Sequence, residues 1–325
     1  MTILYEKEPA VLTGINGFAE REIFPRLRQL GGRPKQEVRK QKAKFLAIGV
    51  AAILILSYLI AGGDGMIVLV PILTPFVGGI VYLIYRISKG PTAKTERELM
   101  DIVPGGIARH LGLSLKDEGG EDFARECMKV GCVGDFDDIS VQFFLTGTLG
   151  DNEVRCALVS MGDDTTGTVS DFSKSGFVGS LYSVRTGKKM RGRTLLMPQM
   201  HIGNFLNKYS AKFSETEDEK FEAVDWGEPD FKARFAVYSS NPDGAKSLLN
   251  GVMQDRLVKA VTDVPKLGAS AALADGTIYL AVLDGKPRRL HPKFKENAPA
   301  DDPEPVRAVA DAMAEIVGRL KAMAD

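Results

Sequence analysis

The chain is poor in the residues that acid–base and nucleophilic catalysis draw on. It has three histidines, three cysteines and one tryptophan in 325 residues. His110, His201 and His291 are scattered, so a histidine-based site is poorly supplied. Cys127, Cys132 and Cys156 are odd in number, which reads as thiols and not as a disulfide framework. Cys127 and Cys132 stand in a C-x4-C spacing, but two further ligands at zinc-site spacing are lacking, so no metal is expected. Gly187-Lys188-Lys189 lacks the hydroxyl that holds Mg²⁺ in a phosphate-binding loop. There is no G-x-S-x-G elbow and no H-E-x-x-H helix. Asp163, Asp164 and Asp171 fit no EF-hand spacing and read as a solvated loop. No catalytic residue and no cofactor are expected from these patterns.

Net charge is also lacking, but only as a sum. Residues 1–98 carry 14 Lys+Arg against 8 Asp+Glu, and the rest carry 28 against 34. The mildly acidic larger part argues against nucleic acid as a partner, because phosphate binding needs clustered positive charge.

What the sequence does have is two apolar runs. Residues 45–61 contain no charged side chain, and neither do residues 66–85. As helices they would span about 26 and 30 Å, close to the thickness of a bilayer core. Gly62-Gly63-Asp64-Gly65 between them suits a tight reversal. Soluble core helices rarely stay uncharged over such lengths. The runs also start too late for a secretory signal. Pro71 and Pro75 predict a kink in the second helix. Arg33, Lys35, Arg39, Lys40, Lys42 and Lys44 precede the pair; Arg86, Lys89, Lys94 and Arg97 follow it. The positive-inside rule then places both termini in the cytoplasm. The expected localisation is the cell inner membrane, with two spans.

Five segments follow: a cytosolic leader with a basic amphipathic helix (1–44), a transmembrane helical hairpin (45–85), a cytosolic α+β domain (94–286), a linker (287–304) and a C-terminal amphipathic helix (305–325). In the leader, Phe18, Ile23, Leu27 and Leu30 recur at helical spacing, with Asn16 as candidate cap and Pro25 interrupting. The leader would lie on the membrane or pack on the domain. A helix over 95–113 should bend or split at Pro104, and a short helix follows over 121–130. Residues 139–148 and 153–161 predict a hairpin turning at Gly150-Asp151-Asn152. Residues 179–184 and 193–197 read as a second strand pair around Thr186-Gly187-Lys188-Lys189. Residues 231–238 alternate as a strand. Ser240-Asn241-Pro242-Asp243 signals a helix start, with one helix burying Ala245, Leu248, Leu249, Val252, Met253, Leu257 and Val261. Residues 270–282 form a hairpin turning at Asp275-Gly276. In the last helix Val306, Val309, Met313, Ile316, Val317 and Leu320 form one stripe. Strand pairs joined by tight turns predict an α+β domain with antiparallel strand pairs and flanking helices. The piece from about Lys94 to Asp325 is expected to fold without the hairpin.

Lys189, Arg191 and Arg193 alternate and would share a strand face as a basic patch. Such a patch would dock on anionic lipid or an acidic partner; the plainer alternative is a solvated hairpin face.

Phe24-Pro25-Arg26-Leu27, the two apolar runs, Gly192-Arg193-Thr194-Leu195-Leu196, and then Phe231, Phe235, Val237, Tyr238, Ala245, Leu248 and Leu249 form an ordered set. In this the chain resembles a bacterial family of membrane-anchored proteins of unknown function. Two N-terminal spans and a cytosolic α+β domain are what the resemblance implies. The family commonly opens the turn with an acidic residue, where this chain has Asn241-Pro242-Asp243. No activity comes with the resemblance. The functional expectation is a protein-interaction or scaffold module whose partners are the bilayer and a protein, a second copy of the chain included. The alternative is an enzyme with an unrecognised site, acting on a membrane-associated substrate.

Overall fold

A computed structural model describes residues 3–30, 93–162, 176–187, 191–198, 220–265, 268–284, 290–292, 294, 299 and 301–324. The apolar runs 45–61 and 66–85 lie outside the described residues. Among the described residues no helix is long and apolar enough to cross a membrane.

Period-two alternation dominates the middle of the chain and builds strands. They are β1 (Leu113–Lys116), β2 (Asp138–Leu149), β3 (Asn152–Gly162), β4 (Phe177–Arg185), β5 (Thr194–Pro198), β6 (Glu222–Ala223), β7 (Phe235–Ser239), β8 (Ala269–Ala274) and β9 (Thr277–Leu283). They form one sheet in the order β1-β2-β3-β4-β9-β8-β5-β7-β6, with every pairing antiparallel. The α+β expectation therefore holds. The β8–β9 hairpin turns at Asp275 and Gly276, both at positive φ (48° and 74°), as a two-residue hairpin of this hand requires.

The helices are α1 (Ile15–Phe18), α2 (Ala93–Ile102), α3 (Pro104–His110), α4 (Gly120–Lys129), α5 (Pro229–Lys232), α6 (Pro242–Leu248), α7 (Gly251–Ala260) and α8 (Pro303–Ala324). Alternation sends Val154, Cys156 and Leu158 of β3 to one face and Ala157, Val159 and Met161 to the other. The first face is covered by α3, α7, α8 and residues 3–30; the second is covered in part by α4. The stripe Val306, Val309, Met313, Ile316, Val317 and Leu320 is fully buried on the first face.

The leader is folded onto the domain. Leu4, Leu12, Ile15, Ile23 and Phe24 are 1% exposed or less, in the same cluster as Met313 and Ile316 of α8. The Tyr5 hydroxyl donates to Asp311 at 2.6 Å, and His110 of α3 packs on Phe18 with ring centroids 5.0 Å apart. Asn16 is not the cap that its position suggests. Its side chain accepts from the amides of Leu4 and Tyr5 and donates to the Tyr5 carbonyl, clamping the chain start. A π-turn, Ala19–Ile23, precedes Pro25, where the missing amide frees a carbonyl one turn earlier.

Four further expectations change. First, β4 and β5 are not partners: β9 and β8 lie between them. After β4, Thr186 binds the Gly276 carbonyl through both its amide and its hydroxyl, which ties the chain to the β8–β9 turn and carries it past. Second, residues 229–232 are the helical turn α5, and the strand starts only at Phe235. Pro229 opens that turn, and the Arg234 guanidinium donates to the carbonyls of Val261 and Val264. Third, the helix after Asn241 is two helices. Asn250 caps α7 by accepting from the Met253 amide at 3.1 Å, and Val252 is left 60% exposed. Fourth, α3 ends at His110, and Leu113 already belongs to β1. The Asn241 cap with proline at the first helical position holds, its side chain accepting from Gly244 at 3.1 Å. In the expected linker, Leu290 is buried and Phe294 packs on the main core.

Candidate site: a polar floor beside α4

Helix α4 covers the sheet row Phe144–Ala157–Leu181–Ala281. Directly paired residues of antiparallel strands share a face, as do residues two apart along a strand. The next two rows on that face are therefore Thr146–Arg155–Ser183–Tyr279 and Thr148–Glu153–Arg185–Thr277. Eight polar side chains from four adjacent strands make a floor at the side of the helix. A groove of about 640 Å³ lies over it, with Glu126 of α4 as its wall.

Glu126 organises the floor. Its carboxylate accepts both terminal nitrogens of Arg155 at 2.7 Å and the Tyr279 hydroxyl at 2.5 Å. The Arg155 Nε donates to Ser183 at 3.0 Å, and the guanidinium lies 4.6 Å from the centre of the Phe123 ring. The network thus ties α4 to β3, β4 and β9. The hydrogen bond from Arg155 holds the Glu126 carboxyl below its usual range, against the opposing effect of burial. Burial, followed by the bond to Glu126, pushes the Tyr279 phenol up. Burial alone would lower Arg155, but Glu126 more than offsets it and raises it. Near neutral pH the three groups are locked as carboxylate, neutral phenol and guanidinium. Such a set binds and orients; it does not exchange protons readily.

A lowered folded pKa means that the stabilisation is fully present above the unfolded carboxyl value and is lost as pH falls through the folded value. Glu126→Gln is therefore expected to cost about 1–2 kcal/mol at pH 7 and progressively less as pH falls below the unfolded carboxyl value of about 4.3. Thermal melts of both proteins from pH 7 down to pH 3 would check it. Parallel curves would show that Glu126 carries no linked proton.

Two of the three residues of the sequence-derived patch are described. Lys189 lies outside the described residues. Arg191 sits exposed in a bend, and its carbonyl accepts from Asn241 at 3.0 Å. Arg193 precedes β5, so strand alternation does not apply to it. Its guanidinium donates to the Lys129 carbonyl at 2.8 Å and lies 5.5 Å from the Phe221 ring. A cation at the C-terminal end of α4 complements the helix dipole. The three cysteines are buried, and burial pushes the thiols of Cys127 and Cys132 up, away from reactive thiolates. Among the described residues no cluster could hold a metal ion. Glu126, Arg155, Ser183 and Tyr279 were not singled out from sequence. The one readable signal is Thr146 and Thr148 facing Glu153 and Arg155 across the Gly150-Asp151 turn.

Residues 175–323, from just before β4 into α8, match the model of a family described as protein of unknown function (DUF3137). No curated protein sequence matches the chain. Among solved structures the chain is similar to the crystal structure of the mycobacterial trehalose monomycolate transport factor A, TtfA. That likeness has 13% identity and a TM-score of 0.34, over 67% of this chain and 93% of that one. The residues from Gly192 to Leu249 that carry the family resemblance fall inside the segment, residues 175–323, that matches this domain of unknown function.

Proposed function

We propose that the chain is a membrane-anchored module whose folded part lies in the cytoplasm and binds a protein partner. One observation carries the topology: residues 3–30 and 93–324 share a core. Leu30 and Ile102, on either side of the apolar runs in sequence, lie in that core, with Arg26 and Asp101 3.8 Å apart. Both flanks of the apolar runs are therefore on the same side of any bilayer, and any crossings between them must be even in number. Two uncharged runs, each long enough to span, supply an even number. The basic flanks orient them with the domain inside a bacterial inner membrane. Anionic lipid is the natural neighbour of those flanks.

Binding is favoured over catalysis because the best-formed polar site is internally neutralised. The enzyme reading draws on the convergence of Glu126, Arg155, Ser183 and Tyr279 from four separate segments, and its substrate would be membrane-associated. Fusions after Asp325 test the topology. A fluorescent protein that matures only in the cytoplasm should be bright, and an alkaline phosphatase fusion should be inactive. The opposite pattern sinks the reading. Proximity labelling from the same terminus then tests for a protein partner; labelling no stronger than that of an unrelated cytoplasm-facing anchor would refute the binding role.

A further inference from the structure

Strand β1 is shorter than the strand it lies on. It pairs with Phe144 to Gly147 and stops at Lys116, whereas β2 begins six residues before Phe144, at Asp138. Among the described residues nothing pairs with 138–143 on the outer side, so this stretch is sheet edge. Unpaired ladder groups at an edge are a template for another strand. Past Lys116 the chain turns away through Gly119, at φ +87°, into α4. The place in line with β1 is left as a groove of about 580 Å³ between α4, the Arg97–Met100 side of α2 and the β2 edge.

The groove has two chemical characters. Along β2, Ile139 and Val141 are half-buried against the cluster under α4, while Asp138, Ser140 and Gln142 are exposed. Alternate side chains of an added strand would thus meet apolar and polar ground in turn. Its charged lining is four acidic groups, Asp117, Glu118, Glu121 and Asp122, against Arg97 and Lys116. Arg97 is bonded to Asp117, and Glu121 to Arg125. A β-bulge between Val141 and Phe143 separates the covered part of β2 from the bare part. The bare run from Asp138 to Val141 is about 13 Å long, four residues of strand.

We infer that the β2 edge is the docking site of an extended, basic segment of the protein partner, which adds to the sheet beyond β1. This rests on the binding-module reading and names the chemistry of its partner. Charge selects the occupant: two copies of this chain paired edge to edge would set acidic groups against acidic groups, whereas a lysine-bearing strand is attracted.

The test uses the full chain in detergent and a short dye-labelled peptide of alternating lysine and valine. Binding by anisotropy should be accompanied by slowed amide exchange at 138–143. Glu118→Lys with Asp122→Lys, both exposed, should weaken binding about tenfold at low salt. The same peptide with alternate amides methylated keeps its charge and loses the ladder, and should bind at least as weakly. Equal binding of the methylated peptide, protection elsewhere, no binding, or a dimer dissociated by the peptide would each overturn the inference. A peptide failure alongside a genuine proximity-labelled partner would remove this site and leave the binding role standing.

Discussion

Residues 94–325 expressed alone should lose the cooperative unfolding transition of the full chain although every strand is present, the reverse of the expectation from sequence, because the leader shares their core. The deleted leader buries Leu4, Leu12, Ile15, Ile23 and Phe24 almost completely. At about 1.5–3 kcal/mol each, their gross transfer energy is roughly 8–15 kcal/mol. That is as large as the net stability of a typical domain, about 5–15 kcal/mol. Part is recovered because the leader need not be ordered. The surfaces it covered on α3 and α8 nevertheless become wet, and these are apolar stripes with no other cover among the described residues. The matched control joins residue 30 to residue 93 by a glycine–serine linker of about twenty residues, with a mean reach of about 25 Å. The control should melt sharply by circular dichroism, and the truncated fragment should bind a hydrophobic dye without a sharp melt. A fragment that melts cooperatively within a few degrees of the control would show that the leader is accessory.

Arg319→Met is expected to lower the melting temperature of the control by roughly 5–10 °C, a loss of about 2–3 kcal/mol. The Arg319 side chain is 5% exposed, on the inner side of α8. One terminal nitrogen donates to the Ala260 carbonyl at 3.1 Å, and the other to Asp263 and Glu315 at 2.7 Å. The carbonyl belongs to the last turn of α7, where a cation also meets the negative end of the helix dipole. Methionine fills the volume of the stem but leaves that carbonyl without its donor. It also leaves two carboxylates side by side. Both carboxylates reach water, so the buried carbonyl accounts for most of the loss. Arg319→Lys keeps the charge without the fork and should fall between the two. An unchanged melting temperature in Arg319→Met would mean that α8 is held by its apolar stripe alone.

Local chemistry was legible and long-range pairing was not. The Asp275-Gly276 turn, the Asn241-Pro242 helix start, the split at Pro104 and the α8 stripe each depend on residues within a few positions of one another. They are readable because the chemistry that makes them is equally local. The partner of β5 is different. Its neighbours β7 and β8 come from about 40 and 75 residues further on, and nothing within residues 186–193 announces that β4 and β5 will be separated. The polar floor has the same difficulty. Tyr279 joins Arg155 and Ser183 only because β4 and β9 are adjacent, a pairing across about 100 residues. Asn16 misled because asparagine suits two roles: capping a helix and clamping a nearby extended segment. Its amide took the second, with Leu4 and Tyr5 as partners.

The contact between Tyr5 and Asp311 has a consequence for how the protein is made. At elongation rates of about 5–20 residues per second, the last helix leaves the ribosome roughly 15–60 s after the first residues do. During that interval Leu12, Ile15 and Phe24 have been synthesised but their seat on the final helix has not. The nascent chain must be shielded meanwhile, and a product that stops short of residue 303 leaves the N-terminal hydrophobics bare for quality-control proteases.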